Sequence, residues 1–281
     1  MSTALIARKD FDDALRSRMI LAITAIFVFF ATLVVAAPAL FGDASELTTA
    51  QALSLTVIPA QTIIPIVALI VGYMAIVGER QSGSVKILLG FPHSRWDIVA
   101  GKLLGRTGVI GLGIVVGFVI AGVAGGVLYG SFPLADFLAL LVVTAFLGMV
   151  FVGFAVGVSA GVSTRGRAMA IVIGMFIVFN VLWDLLTSLV LFAVEGEFFM
   201  QNPPTWHEVL VAASPMQAYE SAMRSVMDVE ILTLFGGGTG GSAAPGDPFF
   251  LQDWFGFVVM LIWMVVPLAL GYWRFERADL G

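Results

Sequence analysis

The chain is 281 residues long, 59 % hydrophobic and 12 % charged, with a formal net charge of −5 and a mean hydropathy of +1.02. Water-soluble domains run at about 45–50 % apolar and about 25 % charged residues, so this composition excludes a soluble globular domain and requires an integral membrane protein. Cysteine is absent, which excludes disulfides and thiolate metal centres.

Residues 1–18 carry seven charges interleaved with Leu5, Phe11, Ala14 and Leu15. That spacing predicts a helix lying in the membrane interface ahead of the first crossing. Ala36-Ala37-Pro38-Ala39 faintly imitates a leader-cleavage site, but the apolar run before it is longer than a usual signal core, so a retained first helix is expected. Six apolar stretches follow one another near 19–41, 53–77, 107–129, 137–163, 168–194 and 254–273. Each supplies the roughly 20 helical residues that a ~30 Å hydrocarbon core demands. The expected fold is all-α: a polytopic membrane protein with six transmembrane helices, forming one transmembrane domain over 1–281.

The second crossing contains Pro59, Gln61, Thr62 and Pro65, which predicts a kinked and locally polar helix. Such breaks are tolerated where neighbouring helices or cavity water satisfy the freed backbone groups. Gln61 is therefore a candidate pathway residue, with a simple bend as the alternative. Residues 78–106 interrupt the apolar pattern. Ser82 and Ser84 can cap a short helix running to Leu89, Gly90 and Pro92 would end it, and Ser94 with Asp97 forms a capping box opening a second helix over Trp96–Arg106. A basic loop that merely enforces orientation needs charges, not two separately capped helices; a docking surface for a protein partner needs both.

Gly122, Gly126 and Gly130, and then Gly153, Gly157 and Gly161, recur every four residues. Small residues at this spacing let helices approach closely in lipid, within one chain or between two. Gly157-Val158-Ser159-Ala160-Gly161 matches the G-x-S-x-G nucleophile pattern, but that elbow belongs on a strand-to-helix turn with a histidine base nearby, so hydrolase chemistry is not expected. Asp184 lies within the fifth apolar stretch; an acid there marks a polar pathway or an interhelical partner, unless Trp183 sits at the interface and the carboxylate reaches water. The segment 195–253 holds short helical patterns followed by a glycine-rich linker. His207, Glu208 and Met216 match no metal-ligand spacing, and the glycine run 236–241 is no phosphate loop, since GxxxxGK[ST] occurs nowhere.

Charge orients the whole. Thirteen of the fourteen basic residues fall in 1–18, 78–106, the connection holding Arg165 and Arg167, and the C-terminal end; the other three connections hold Arg224 and eleven acids. By the positive-inside rule both termini and the 78–106 loop are expected in the cytoplasm, and 195–253 outside.

The pattern GER-x-SGS-x-K-x-LL-x-x-P-x-SR-x-x-x-x-x-GK, from Gly78 to Lys102 between the second and third of six helices, resembles the coupling-helix loop of type-2 ATP-binding-cassette permeases. The N-terminal ALIARKDFDDALRSR is similar to the interfacial helix of that family, and SPMQAYE resembles the segment before its last crossing. The family includes the permease of nitrous-oxide reductase maturation and exporters of drugs, lipids and polysaccharides. The resemblance implies a permease that pairs with a second copy or a paralogue in the lipid bilayer of the cell membrane. Each copy would seat its loop on a separate cytoplasmic ATPase subunit, with no cofactor in this chain, ATP on the partner, and no nucleic acid. Carried over by position, Glu79, Arg80, Ser82, Gly83, Ser84, Lys86 and Arg95 would dock the ATPase. The alternative is a non-transporting membrane scaffold that recruits a cytoplasmic protein through the same loop.

Overall fold

A computed structural model describes residues 2–42, 47–83, 94–198, 200, 202–227 and 248–278. Among the described residues every regular element is helical: α1 (Ser2–Leu15), α2 (Arg18–Phe41), α3 (Thr49–Ser54), α4 (Val57–Gly72), α5 (Val77–Ser82), α6 (Arg95–Tyr129), α7 (Leu134–Gly161), α8 (Arg165–Ile177), a π-helical turn (Val178–Leu182), α9 (Trp183–Glu195), α10 (Thr205–Ala212), α11 (Pro215–Arg224), a 3-10 turn (Phe249–Leu251) and α12 (Phe255–Glu276). Six helical stretches are long and apolar enough to cross a membrane: α2, α3–α5, α6, α7, α8–α9 and α12. The protein is therefore a multi-pass membrane protein.

α7 is the hub, packed against α12, α4 and α6. Lipid gives helices no hydrophobic reason to associate, so close packing must come from shape, and glycine supplies it. A Cβ placed on Gly271 would lie 1.9 Å from the carbonyl oxygen of Gly157, and one on Gly157 would lie 2.4 Å from that of Pro267. Gly153 receives Met264 in the same way. The stripe 153/157/161 thus joins α7 to α12 within one chain. The other stripe closes the α6–α7 hairpin, where Gly122 meets Phe132 and Phe137, and Gly130 ends α6 at φ +78°.

The second crossing breaks twice, and each break has a local cause. Pro59 lacks the N–H that would bond the carbonyl of Leu55, and its ring crowds that same carbonyl; α3 accordingly stops at Ser54 and α4 starts at Val57. Pro65 stays inside α4. The second break, at 73–76, contains no proline and is held from outside: Ser159 Oγ, fully buried on α7, accepts the backbone N–H groups of Ile76 and Val77 at 3.0 Å each.

Of the four apolar positions expected to share a face of α1, Ala14 is buried and Phe11 packs against the core, while Leu5 and Leu15 turn outward. Ile6, Asp10 and Ala14 are buried, whereas Leu5 and Leu15 are 63 % and 43 % exposed. The partner decides this. Gly101 and Gly105 of α6 accept Ile6 and Asp10 directly, with virtual Cβ distances of 2.7 and 2.9 Å, so the 6/10/14 stripe docks and the leucines face outward.

Candidate functional site

The site is built at the basic end, where both arms of the 78–106 loop meet the bundle. The exit arm begins as the sequence predicts. Ser94 accepts the N–H of Asp97, and the Asp97 carboxylate accepts the N–H of Ser94, both at 3.0 Å, so α6 runs unbroken from Arg95 into the membrane. The entry arm, α5, ends at Gly83 with φ +77°, where a side chain is strained. The Ser82 hydroxyl donates to the Glu79 carbonyl at 3.2 Å. Ser84, Lys86 and the expected break at Gly90–Pro92 lie outside the described residues.

Glu79, Arg80 and Arg95 are all engaged within the chain. Lys102 Nζ stands 2.5 Å from Glu79 Oε1 and 2.8 Å from Asp10 Oδ1. Arg106 grips the same Asp10 with Nε 2.8 Å from Oδ2 and a terminal nitrogen 3.2 Å from Oδ1. The Asp10 and Lys102 side chains are only 4 % and 9 % exposed. Two acids and two bases cancel, which is what makes burial of four charges tolerable; losing one member would strand its partner. The cluster ties α1, α5 and α6 together.

The two loop arginines grip helix ends. Arg80 donates to the carbonyls of Ala160 at 3.3 Å and Val162 at 2.9 Å, at the C-terminus of α7. Arg95 donates to the carbonyls of Phe275, Glu276 (2.7 Å) and Ala278 (3.0 Å), at the C-terminus of α12. Cations there satisfy orphan carbonyls and oppose the negative end of the helix dipole. Both guanidinium groups also lie against the ring of Phe275, 5.8 and 5.5 Å from its centre, and Phe275 is fully buried. Arg165 adds a 3.4 Å bond to the Gly78 carbonyl.

At the acidic end, Gln61 Nε2 donates to Glu220 Oε1 of α11 at 2.6 Å. Arg224 stands 3.6 Å from Glu220 Oε2 and 3.1 Å from Asp253 Oδ1. Thr62 donates to Asn180 Oδ1 at 3.1 Å, and Asn180 lies on the π-helical turn, a distortion frequent at functional positions. Asp184 is exposed, one turn further on. Burial pushes the Glu220 carboxyl above its ordinary value; the Gln61 bond and Arg224 oppose the rise, and the Asp184 charge adds to it.

Sequence pattern locates Gln61 and Asp184 but not the groups they meet. Asp10, Lys102, Arg106, Phe275 and Glu220 all went unassigned. The one available signal was an acid, Asp10, at i+4 from Ile6 and i−4 from Ala14, on a stripe that is otherwise apolar.

Residues 4–280 match the ABC-2 family transporter protein profile. The chain is 29 % identical over 290 residues, covering 97 % of each chain, to the probable ABC transporter permease protein NosY of Stutzerimonas stutzeri. It is 30 % identical over 209 residues, covering 68 % of this chain and 71 % of the relative, to the protein of the same name from Pseudomonas aeruginosa. With a match running from α1 to the end of the last crossing, the chain belongs to the ABC-2 family of transporter proteins, as a membrane-spanning permease.

Proposed function

We propose that this permease works as a dimer whose two 78–106 loops each receive a separate cytoplasmic ATPase subunit, and that ATP turnover there drives a cargo across the membrane. In this reading the basic end, with both termini, faces the cytoplasm. The observation that carries it is the way the loop is fastened. Its entry arm holds α1 and α6 through Glu79–Lys102–Asp10 and α7 through Arg80; its exit arm holds α12 through Arg95. A load applied at the loop therefore reaches four helices through short ionic contacts and capped helix ends rather than through a flexible linker.

Within the loop the roles divide. Glu79, Arg80 and Arg95 are committed to the bundle and act as positioning residues. Ser82, Gly83, Ser84 and Lys86 form the stretch offered to the ATPase. Gln61 and Asp184, with Thr62 and Asn180 between them, give the second and fifth crossings a polar side that suits a pathway better than it suits lipid.

The test is reconstitution with the ATPase subunit. Replacing Ser84 and Lys86 together should abolish co-purification of the ATPase while leaving the permease folded. Charge removal at Lys102 should leave co-purification intact but uncouple ATP hydrolysis from transport. Full ATPase binding and transport in the Ser84/Lys86 double variant would refute the docking assignment.

A further inference from the structure

We propose that the contact between Gln61 and Glu220 is a latch that holds α11 shut over the acidic end of the second crossing, and that Glu220 opens it by passing from Gln61 to Arg224. The proposal deepens the transport reading and rests on it for the moment of opening, though not for the latch itself.

α11 is a ten-residue helix wedged among the crossings, with Met216, Ala218, Tyr219, Glu220, Ala222 and Met223 buried. Its ties to α7 and α12 are neutral and tight. Tyr219 and Thr144 share a hydroxyl bond of 2.8 Å, the bare Cα of Gly256 admits the Ala218 carbonyl where a Cβ would lie 2.2 Å from it, and just ahead of α11 Trp263 donates to the carbonyl of Ala213 at 2.8 Å. The tie to α4 differs in kind, because it runs through a carboxylate that is 6 % exposed. A buried acid costs free energy unless its lone pairs are filled, and here one oxygen is not: Glu220 Oε2 and Arg224 Nη1 both lack hydrogen bonds although they stand only 3.6 Å apart.

That geometry sets one carboxylate between two donors, with Oε1 bonded to Gln61 and Oε2 a small shift short of a hydrogen bond to Arg224. Arg224 is anchored for the second state by Asp253, two residues ahead of α12. Gln61 is weakly anchored for the first, since it lies between two prolines and Pro65 supplies no N–H to its backbone carbonyl. The remaining groups around the carboxylate are the Asp184 charge on α9 and the neutral Tyr219 and Thr144. Asp184 repels the Glu220 charge and binds neither donor. An exchange of partners would free α4 from α11 while leaving α11 fixed to α7 and α12.

The chain has no cysteine, so a single introduced thiol reports cleanly. Ala222→Cys places it on the buried face of α11, where the native residue is fully covered. A membrane-impermeant maleimide is added from the acidic side to the complete permease with its ATPase subunit. Without ATP, the thiol at position 222 should be protected in the otherwise native chain and in Glu220→Gln, which keeps an amide bond to Gln61. It should react on the order of tenfold faster in Gln61→Leu, as loss of a bond to a charged group warrants. With ATP, the native chain should become reactive and Arg224→Met should stay protected. Equal rates for Gln61→Leu and the native chain would overturn the latch, and a native rate insensitive to ATP would overturn its opening. Failure of the ATPase subunit to co-purify would count against the transport reading alone, because the ATP-free comparison still reads the latch.

Discussion

Ser159 Oγ accepts the backbone N–H of Ile76 at 3.0 Å, and that of Val77 at the same distance. Two donors released where the second crossing breaks are thus satisfied by one hydroxyl on the fourth. The same residue occupies the nucleophile position of a G-x-S-x-G pattern, and its chemistry is spent on structure. Its neighbours on α7 let the break come close: a Cβ on Gly72 would sit 2.6 Å from that of Ala155.

Ser159→Ala leaves both N–H groups buried without partners. The variant should lose about 2–6 kcal/mol of stability, at the rate of about 1–3 kcal/mol for each of the two unsatisfied buried groups. Thermal unfolding in detergent measures it, and slower deuterium protection at Ile76 and Val77 should vanish with it. An unchanged midpoint would mean that these donors find another acceptor.

Lys102→Met strands Glu79 and deprives Asp10 of one of its two cations. Breaking a buried pair by removing one member costs about 3–5 kcal/mol. Adding Glu79→Gln to Lys102→Met should restore part of that loss, because the unpaired charge goes too. A double-mutant cycle reads the coupling; strictly additive effects would show that the two residues act independently.

Arg95→Lys should behave nearly as poorly as Arg95→Gln. One ammonium lacks the planar fork that reaches the carbonyls of Phe275, Glu276 and Ala278 from beside the Phe275 ring. The expected outcome is a frayed C-terminus, seen as faster proteolysis after residue 274, with the ATPase still bound. Full protection in Arg95→Lys would reduce this contact to a simple charge effect.

Gly271→Ala should prevent stable assembly of α7 against α12, since its methyl would enter the Gly157 carbonyl at 1.9 Å. Gly174→Ala is the matched control, with nothing within 4 Å of the added atom, and should be silent or slightly stabilising through helix propensity. Yield of monodisperse protein after extraction separates the two.

Acidification should tighten the seat of α11. The Glu220 carboxyl is raised in the folded chain, chiefly by burial, so the folded state binds a proton more readily than the open one. The stability this contributes is fully present below the ordinary carboxyl value and is lost as pH rises through the raised folded value. Labelling of the thiol in Ala222→Cys, normalised to an exposed thiol, should therefore climb with pH across that window and flatten in Glu220→Gln. A slope that survives in Glu220→Gln would assign it to another group.

Much of this architecture follows from local rules that act on neighbours in the chain. Six apolar runs of sufficient length became six crossings, the Ser94–Asp97 box started α6 where expected, and the glycine stripes marked close packing. Pro59 dictated a break in the second crossing. Composition alone demanded a membrane as solvent, because burying so apolar a chain in water leaves no polar surface to cover it. None of these inferences needs a partner from elsewhere in the sequence.

Partner choice was settled only by the packed chain. The spacing of Leu5, Phe11, Ala14 and Leu15 points to one face of α1, yet only Ala14 of these is buried, beside Ile6 and Asp10, because Gly101, Gly105 and two cations on α6 stand 90 or so residues away. Glu79, Arg80 and Arg95 read as exposed charges of a cytoplasmic loop, and tertiary contacts turned them inward to Lys102 and to the open ends of α7 and α12. Glu220 ends the SPMQAYE segment, and its role emerges only where α11 carries it to Gln61. Hydropathy and capping depend on a few adjacent residues; an ion pair or a shared acceptor depends on which helices lie side by side, and in lipid that is decided by the fit of their surfaces.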